Sequence, residues 1–414
     1  MNLWIDCEKK PITELLEFVV DNRGKSVPTT DKGHILIATN CIRNDHLYPK
    51  YEKIRYLSQE TYETFFRSHP LPGDIIFVNK GTPGRVCLVP DPIDFCIAQD
   101  MIALRANKDL VDSHYLFAVL RSPMIQTQIH NTYVGDVIPH FKKQFMDRLL
   151  IPLPSMKIQK KIGEIYYTIC DKIEVNRRIN EQLEELAGAL FKSWFVDFDP
   201  FKDGEFVDSE LGMIPKGWKV GTLSDIGEVV GGATPSKSKS EYYTDNGISW
   251  ITPKDLSINK DKFISKGEID ITELGYSKCS AKMMPRGSVL FSSRAPIGYI
   301  AIAKNELCTN QGFKSVVPQL AGTAFIYYYL KNNVSNIESM ASGSTFKEAS
   351  GALMKSLNVI VPESNILQDF EEKVCSIFDK QESLEEEIHH LTTLRDTLLP
   401  KLMSGEIDVN EVEI

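Results

Sequence analysis

The sequence predicts an α+β chain built as a pseudo-two-fold internal repeat. Two tandem mixed α/β globules with small curved sheets are separated by two long helices that form an antiparallel coiled coil. The first observation behind this is a duplication. Leu71-Pro72-Gly73-Asp74-Ile75-Ile76-Phe77 is answered about 214 residues later by Pro285-Arg286-Gly287-Ser288-Val289-Leu290-Phe291, and the match runs on through Lys80 and Arg294, then Gly84 and Gly298. Cys96-Ile97-Ala98-Gln99 and Cys308-Thr309-Asn310-Gln311 follow at about 212, then Ile151-Pro152-Leu153-Pro154 and Val359-Ile360-Val361-Pro362 at about 208. A period that long is a duplicated domain, since solenoid units run to roughly 20–50 residues. The second observation is an apolar stripe at steps of three and four that closes each copy. The third is a Pro-, Gly- and Asp-rich stretch between the copies.

The chain divides accordingly into a first globule over 1–154, a helix over 155–196, a linker over 197–217, a second globule over 218–362, a helix over 363–404 and a tail over 405–414. Both globules open with short β-like runs, His34 to Thr39 and Gly247 to Thr252. Paired apolar runs follow, Asp74 to Val78 with Arg85 to Val89 and Ser288 to Ser292 with Tyr299 to Ala303. Helical patterns cover Ser113 to Leu120 and Ala324 to Leu330.

In the first long helix the stripe runs through Ile162, Ile165, Ile169, Asn176, Leu183, Leu186 and Leu190, with Asn176 as a register-fixing polar residue. In the second it runs through Val374, Ile377, Gln381, Leu384, Ile388, Leu391 and Leu398. Pro154 and Pro362 precede the helices, Ser155 and Ser364 are N-cap candidates, and Pro400 is expected to kink or end the last turn. Such stripes are too apolar for water, so the helices are expected to pair. About 40 residues at 1.5 Å each give about 60 Å. Antiparallel pairing would then hold the globules near two turns of B-DNA apart, at roughly 34–36 Å per turn.

With 414 residues the chain is long enough for two domains. Its eight cysteines show no metal-ligand spacing and are expected to be reduced thiols of a cytoplasmic protein. The opening residues Met1-Asn2-Leu3-Trp4-Ile5-Asp6 have no basic segment followed by an apolar one, so no signal peptide is expected, and no apolar run approaches the roughly 20 residues of a membrane helix. The net charge of −9 is uneven: 363–414 holds 14 acidic and 4 basic residues, which leaves +1 for 1–362. The globules can therefore present basic patches, such as Lys142, Lys143, Arg148, Lys157, Lys160 and Lys161. A solvated surface is the plainer reading of that patch.

Three loop classes are candidates for contact with a polyanion. One is the turn Lys80-Gly81-Thr82-Pro83-Gly84-Arg85, matched by Arg294-Ala295-Pro296-Ile297-Gly298-Tyr299. Its glycine permits close backbone approach to a ligand, and its cation reaches phosphate or a guanine edge. Another is Gly231 to Lys239, carrying Thr234, Ser236 and Lys237, with a weaker counterpart in Arg23-Gly24-Lys25-Ser26. The third, Ser342 to Lys347 with Ser344, Thr345 and Lys347, is matched to Gly135 to His140. Gln99 and Gln311 recur in register and suit base edges. Arg43 and Lys254 complete the set.

Catalytic signals fail. Gly24-Lys25-Ser26 ends like a P-loop, but Val19 stands where its first glycine belongs. There is no G-x-G-x-x-G, no H-E-x-x-H and no Asn-Pro-Pro-Tyr-type loop, and the duplicated loops carry no repeated carboxylate cluster. His389-His390 reads as a solvated face. No metal site is expected. A coiled-coil scaffold for protein binding is the alternative reading.

The runs Leu190-Phe191-Lys192-Ser193-Trp194-Phe195-Val196-Asp197-Phe198-Asp199-Pro200-Phe201, Leu211-Gly212-Met213-Ile214-Pro215-Lys216-Gly217-Trp218 and Arg395 to Ile407 resemble signatures of the specificity (S) subunits of Type I restriction-modification systems. The resemblance implies two target-recognition domains, each reading one half of a bipartite double-stranded DNA sequence. It further implies a coiled coil that sets the spacer and docks two methyltransferase (M) subunits, with restriction (R) subunits joining for cleavage. S-adenosylmethionine, ATP and Mg would belong to those partners, with no cofactor in this chain. The first globule lacks the Pro-Lys-Gly-Trp run; Trp4, ahead of Cys7-Glu8-Lys9-Lys10-Pro11, stands in its place.

Overall fold

The computed structural model describes residues 7–22, 24, 26–135, 137–343, 347–409 and 412. The chain forms two compact units, one of residues 1–177 with 387–414 and one of 178–386, so each long helix contributes to both.

The first unit is built on an antiparallel sheet in the order Leu16–Val20, Met101–Ala106, Ile75–Val78, Val86–Leu88. Ile75–Val78 is a continuous apolar run because both its faces are buried. A smaller sheet pairs His34–Ile37 in parallel with Phe95–Ile97 and antiparallel with Arg55–Leu57. Glu8–Pro11 pairs with Leu150–Leu153 and closes the globule. Trp4 lies outside the described residues, yet this closure exists without the Pro-Lys-Gly-Trp run. Helices Ser113–Arg121 and Pro123–His130 start on the side chains of Asp112 and Ser122, which accept from backbone N–H groups of the first turn.

The second unit repeats this order. Its sheet runs Gly227–Gly231, Lys314–Pro318, Val289–Ser293, Ile297–Ala303, with Phe263–Ile264 added in parallel at the edge. Trp250–Ile251 pairs in parallel with Cys308–Thr309, and Lys219–Thr222 with Asn358–Val361 antiparallel. The helix expected at Ala324 to Leu330 extends over Thr323–Met340.

The long helices are Met156–Phe195 and Ser364–Ser404. In the first unit Ile162, Ile165, Tyr166 and Cys170 share a core with Leu399, Leu402 and Met403, and Lys172 pairs with Glu387 at 3.5 Å. In the second, Ala187, Phe191 and Phe195 share a core with Leu367, Phe370, Val374 and Phe378, while Gln381 reaches the carbonyl of Asn180 at 3.3 Å. Rising numbers on one helix meet falling numbers on the other, so the pairing is antiparallel within each unit. Each helix half also packs on its own globule, so the buried face is wider than a coiled-coil seam.

Several expectations about these helices need correction. Leu186 is 51% exposed, because Ala187 and Phe191 carry the buried face there. Ile169, Leu183, Leu190, Ile377, Ile388, Leu391 and Leu398 are half-buried, whereas Ile162, Ile165, Asn176, Val374 and Leu384 are buried. The second helix begins at Ser364, so Glu363, whose carbonyl accepts from Ile366 and Leu367, holds the position expected of Ser364. The helix also runs through Pro400 to Ser404, so the proline does not end it. Buried Asn176 has no side-chain hydrogen bond among the described residues.

Candidate nucleic-acid interface

In the first unit the sharp turn after Ile75–Val78 places Lys80 at the surface. The segment after Phe95–Ile97 turns through Gln99, whose φ of 58° is left-handed, a conformation uncommon for non-glycine residues. A hairpin closed between Val134 and His140 arrives from the other side. The three loops are tied through one residue. The Asn79 N–H donates to the Asp100 carbonyl at 2.8 Å, and the Asn79 carbonyl accepts from Phe141 N–H at 2.7 Å. Lys80, Gln99, His140, Arg67 and Asp21 thereby line a cleft of about 360 Å³.

The second unit repeats the tie at Ser293. Its N–H donates to the Gly312 carbonyl at 2.7 Å, and its carbonyl accepts from Ala349 N–H at 2.9 Å. The matching hairpin closes between Ser342 and Glu348. This pairs 134–140 with 342–348, one residue off the sequence match of Gly135 with Ser342. The cleft here, about 650 Å³, is lined by Arg294, Gln311, Asn310, Thr234, Lys237 and Lys254 and floored by Trp250 and Tyr243. Those two aromatics fix the Gly231 to Lys239 loop. The indole N–H of Trp250 donates to the Ala233 carbonyl at 3.0 Å, and the Tyr243 hydroxyl donates to that of Pro235 at 2.6 Å.

The charged groups of the second cleft are held by specific partners. Arg294 Nη1 lies 3.5 Å from Glu348 Oε2, and Lys314 Nζ lies 3.4 Å from Glu348 Oε1. One carboxylate thus fixes two cations, and the other guanidinium nitrogens of Arg294 have no partner among the described residues. The Thr234 hydroxyl donates to Gln311 Oε1, which turns the amide NH₂ of Gln311 outward as a donor. Asp255, also in the cleft, is committed to structure: it caps Thr252–Asp255 and accepts from Glu268 N–H at 2.8 Å. Among the described residues no group of three or more His, Cys, Asp and Glu could hold a metal.

Other candidate residues are tied to acidic partners or lie outside the clefts. Arg43 is paired with Glu52 at 3.0 Å, and Lys254, although in the cleft, is tied to Glu268. Tyr299 lies under Lys260, 4.6 Å from its ring centroid, on the inner side of the sheet's hairpin. Lys142 and Lys143 are exposed beside the first cleft, with Lys143 3.3 Å from Asp21. Ser236 bonds Ser238 at 2.9 Å, and Lys347 is exposed. Thr82 and Arg85 are half-buried in the turn, where the Arg85 N–H reaches the Thr82 carbonyl at 3.4 Å, and Gly81 (φ 85°) is open to solvent. Ser344, Thr345, Arg23 and Lys25 lie outside the described residues.

The duplicated glycines need a different reason from the expected one. Gly84 and Gly298 have φ of 88° and 99° and face the protein. A Cβ on Gly84 would sit 3.1 Å from Ile129 Cδ1, and one on Gly298 would sit 2.4 Å from Val334 Cγ1. They let the turn pack on a helix. Arg67, Trp250, Tyr243, Lys314 and Glu348 were not singled out from sequence. Only the aromatics carried a usable signal, since Trp250 sits in a repeated strand.

The family described as the Type I restriction modification DNA specificity domain matches residues 5–185 and 215–392. The chain is 28% identical over 403 residues to the Type I restriction enzyme HindI specificity subunit of Haemophilus influenzae, covering 81% of this chain and 86% of that one. It is 42% identical over 178 residues to the MjaIX specificity subunit of Methanocaldococcus jannaschii, covering 42% of this chain and spanning 41% of that relative's length. The crystal structure of the Type I restriction-modification S subunit from M. genitalium shares the fold, with a TM-score of 0.60 at 16% identity over 96% of both chains. Two copies of the same domain with duplicated clefts account for the two matched segments: the chain belongs to the family of Type I restriction modification DNA specificity proteins.

Proposed function

We propose that this chain is the DNA-reading subunit of a Type I restriction-modification complex and performs no chemistry itself. Each globule reads one half of a bipartite target, and the paired helices set the spacer and dock two methyltransferase subunits. Adenine methylation with S-adenosylmethionine, and ATP- and Mg-dependent cleavage once restriction subunits join, belong to those cytoplasmic partners. The observation that carries this reading is the duplicated cleft. In both units the same three loops, tied through Asn79 or Ser293, bring one cation and one glutamine together, Lys80 with Gln99 and Arg294 with Gln311. Cation and amide are the side chains that read purine edges, and their neighbours differ enough to read different sequences.

Comparing the methylated adenines of cells with and without this chain tests the proposal. One bipartite motif is expected to lose its methylation when the chain is deleted. An unchanged pattern contradicts the reading.

A further inference from the structure

The hairpin beside the first cleft ends in a tip that no packing explains. Val137 is 94% exposed and Ile138 56%, with Val134 at its base 41% exposed. Isolated exposed apolar residues are ordinary on protein surfaces, but adjacent ones on a stiff projection are not. This projection is stiff at its root. Val134 and His140 exchange both backbone hydrogen bonds, at 3.0 and 2.8 Å, and the Pro139 carbonyl accepts from Gly81 N–H at 2.9 Å. The next residue, Phe141, is fully buried, 5.6 Å from Phe77 between ring centroids. The tip is thus held in register with the Lys80 turn.

Its surroundings decide what it meets. Lys80 and His140 form a backbone bridge at the foot of the hairpin, and exposed Lys142 and Lys143 follow immediately. An apolar point rimmed by cations matches a duplex, whose phosphates lie outside and whose base faces are apolar. It is a poor match to an apolar protein groove, where these lysines would have to be desolvated. The repeat adds a second indication in sequence alone: Phe346 stands 208 residues after Ile138, between Ser342 and Glu348.

We propose that Val137 and Ile138 form a wedge that inserts at a base step beside the bases read by Lys80 and Gln99, and opens it. The proposal rests on the DNA-reading function above. Apolar wedges of this size partly unstack a step and kink the duplex, so the sequence at that step is read through its ease of deformation. No side chain need touch the edges of those bases.

The test uses the full chain assembled with its methyltransferase subunits and duplexes carrying the mapped target, with the fluorescent adenine analogue aminopurine placed in turn along one half-site. Besides the adenine that the methyltransferase subunits themselves flip out of the stack, one further position is expected to brighten several-fold on binding, reporting unstacking by the wedge. The double substitution Val137→Ser, Ile138→Ser should abolish that signal and weaken target binding about tenfold or more, the worth of one buried aliphatic side chain. Lys80→Ala should weaken binding yet leave the brightening of the bound complex. If the complex binds its target over a scrambled duplex but no position other than the methylated adenine brightens, or the double variant brightens equally at that further position, the wedge is wrong. If the double variant instead sheds the methyltransferase subunits, the tip is a protein contact and the wedge is again wrong. Absence of any preference for the target contradicts the DNA-reading function itself.

Discussion

Lys262→Met is expected to destabilise the second unit by about 3–5 kcal/mol, the penalty for leaving one member of a buried ion pair behind. Lys262 is 7% exposed, and its Nζ lies 2.7 Å from Glu184 Oε2 and 2.9 Å from Gln381 Oε1. The ammonium also sits over the Phe378 ring at 3.6 Å. It therefore joins the edge of the second sheet to both long helices. Burial pulls Lys262 down to about 8, and Glu184, against its own burial, is held at about 2 by the charges of Lys262 and Lys331. Both stay ionised at neutral pH. Lys331 also pairs with Glu184, which places the loss toward the lower end of the range.

Three of the four tryptophans, Trp194, Trp218 and Trp250, lie in this unit, so denaturant unfolding followed by tryptophan fluorescence reports on it. The midpoint should fall in Lys262→Met and recover in part when Glu184→Gln is added, because the stranded charge is then gone. An unchanged midpoint, or a double variant no better than the single one, contradicts this assignment.

The same network sets a pH dependence. Burial raises Glu385 to about 7, although the N–H groups of Lys262 and Phe263 donate to it. A carboxyl raised in the folded state holds a proton that the unfolded chain releases, so its contribution to stability falls as pH rises from its ordinary value of 4.5 toward 7.

Arg294→Ala is expected to cost about 1–3 kcal/mol of target binding and to relax discrimination at one base, if the guanidinium pairs with a guanine edge. Glu348 holds only one guanidinium nitrogen, which leaves a fork for bidentate contact. Lysine has no such fork, so Arg294→Lys should not restore the preference. Binding measured against duplexes varied at each position, over a salt series, checks this. A uniform loss across sequences with a shallower salt slope makes Arg294 a phosphate contact instead.

Much of the architecture was legible because duplication writes itself into sequence. Leu71 to Phe77 and Pro285 to Phe291 mark the same strand of the same sheet, and the cation and glutamine that follow each reach the same cleft. What was not legible depends on partners far along the chain. Lys262 meets Glu184 and Gln381, and Arg294 meets Glu348, at separations no local pattern records. Gln381 read as a break in an apolar stripe, but it is a member of the buried ionic network. Leu186 satisfied the heptad spacing yet faces outward, since a straight helix drifts from a 3.5-residue repeat and its buried face also follows the globule. Arg43 and Lys254 looked like free cations because nothing in sequence reveals Glu52 or Glu268 beside them.

The central claim is that each globule reads its own half-site. Replacing residues 218–362 with the corresponding segment of a specificity subunit of different target, then mapping methylated adenines, tests it most directly. One half of the bipartite motif should change to the donor's while the other half and the spacer length stay as they were. A motif altered in both halves, or in neither, contradicts the account.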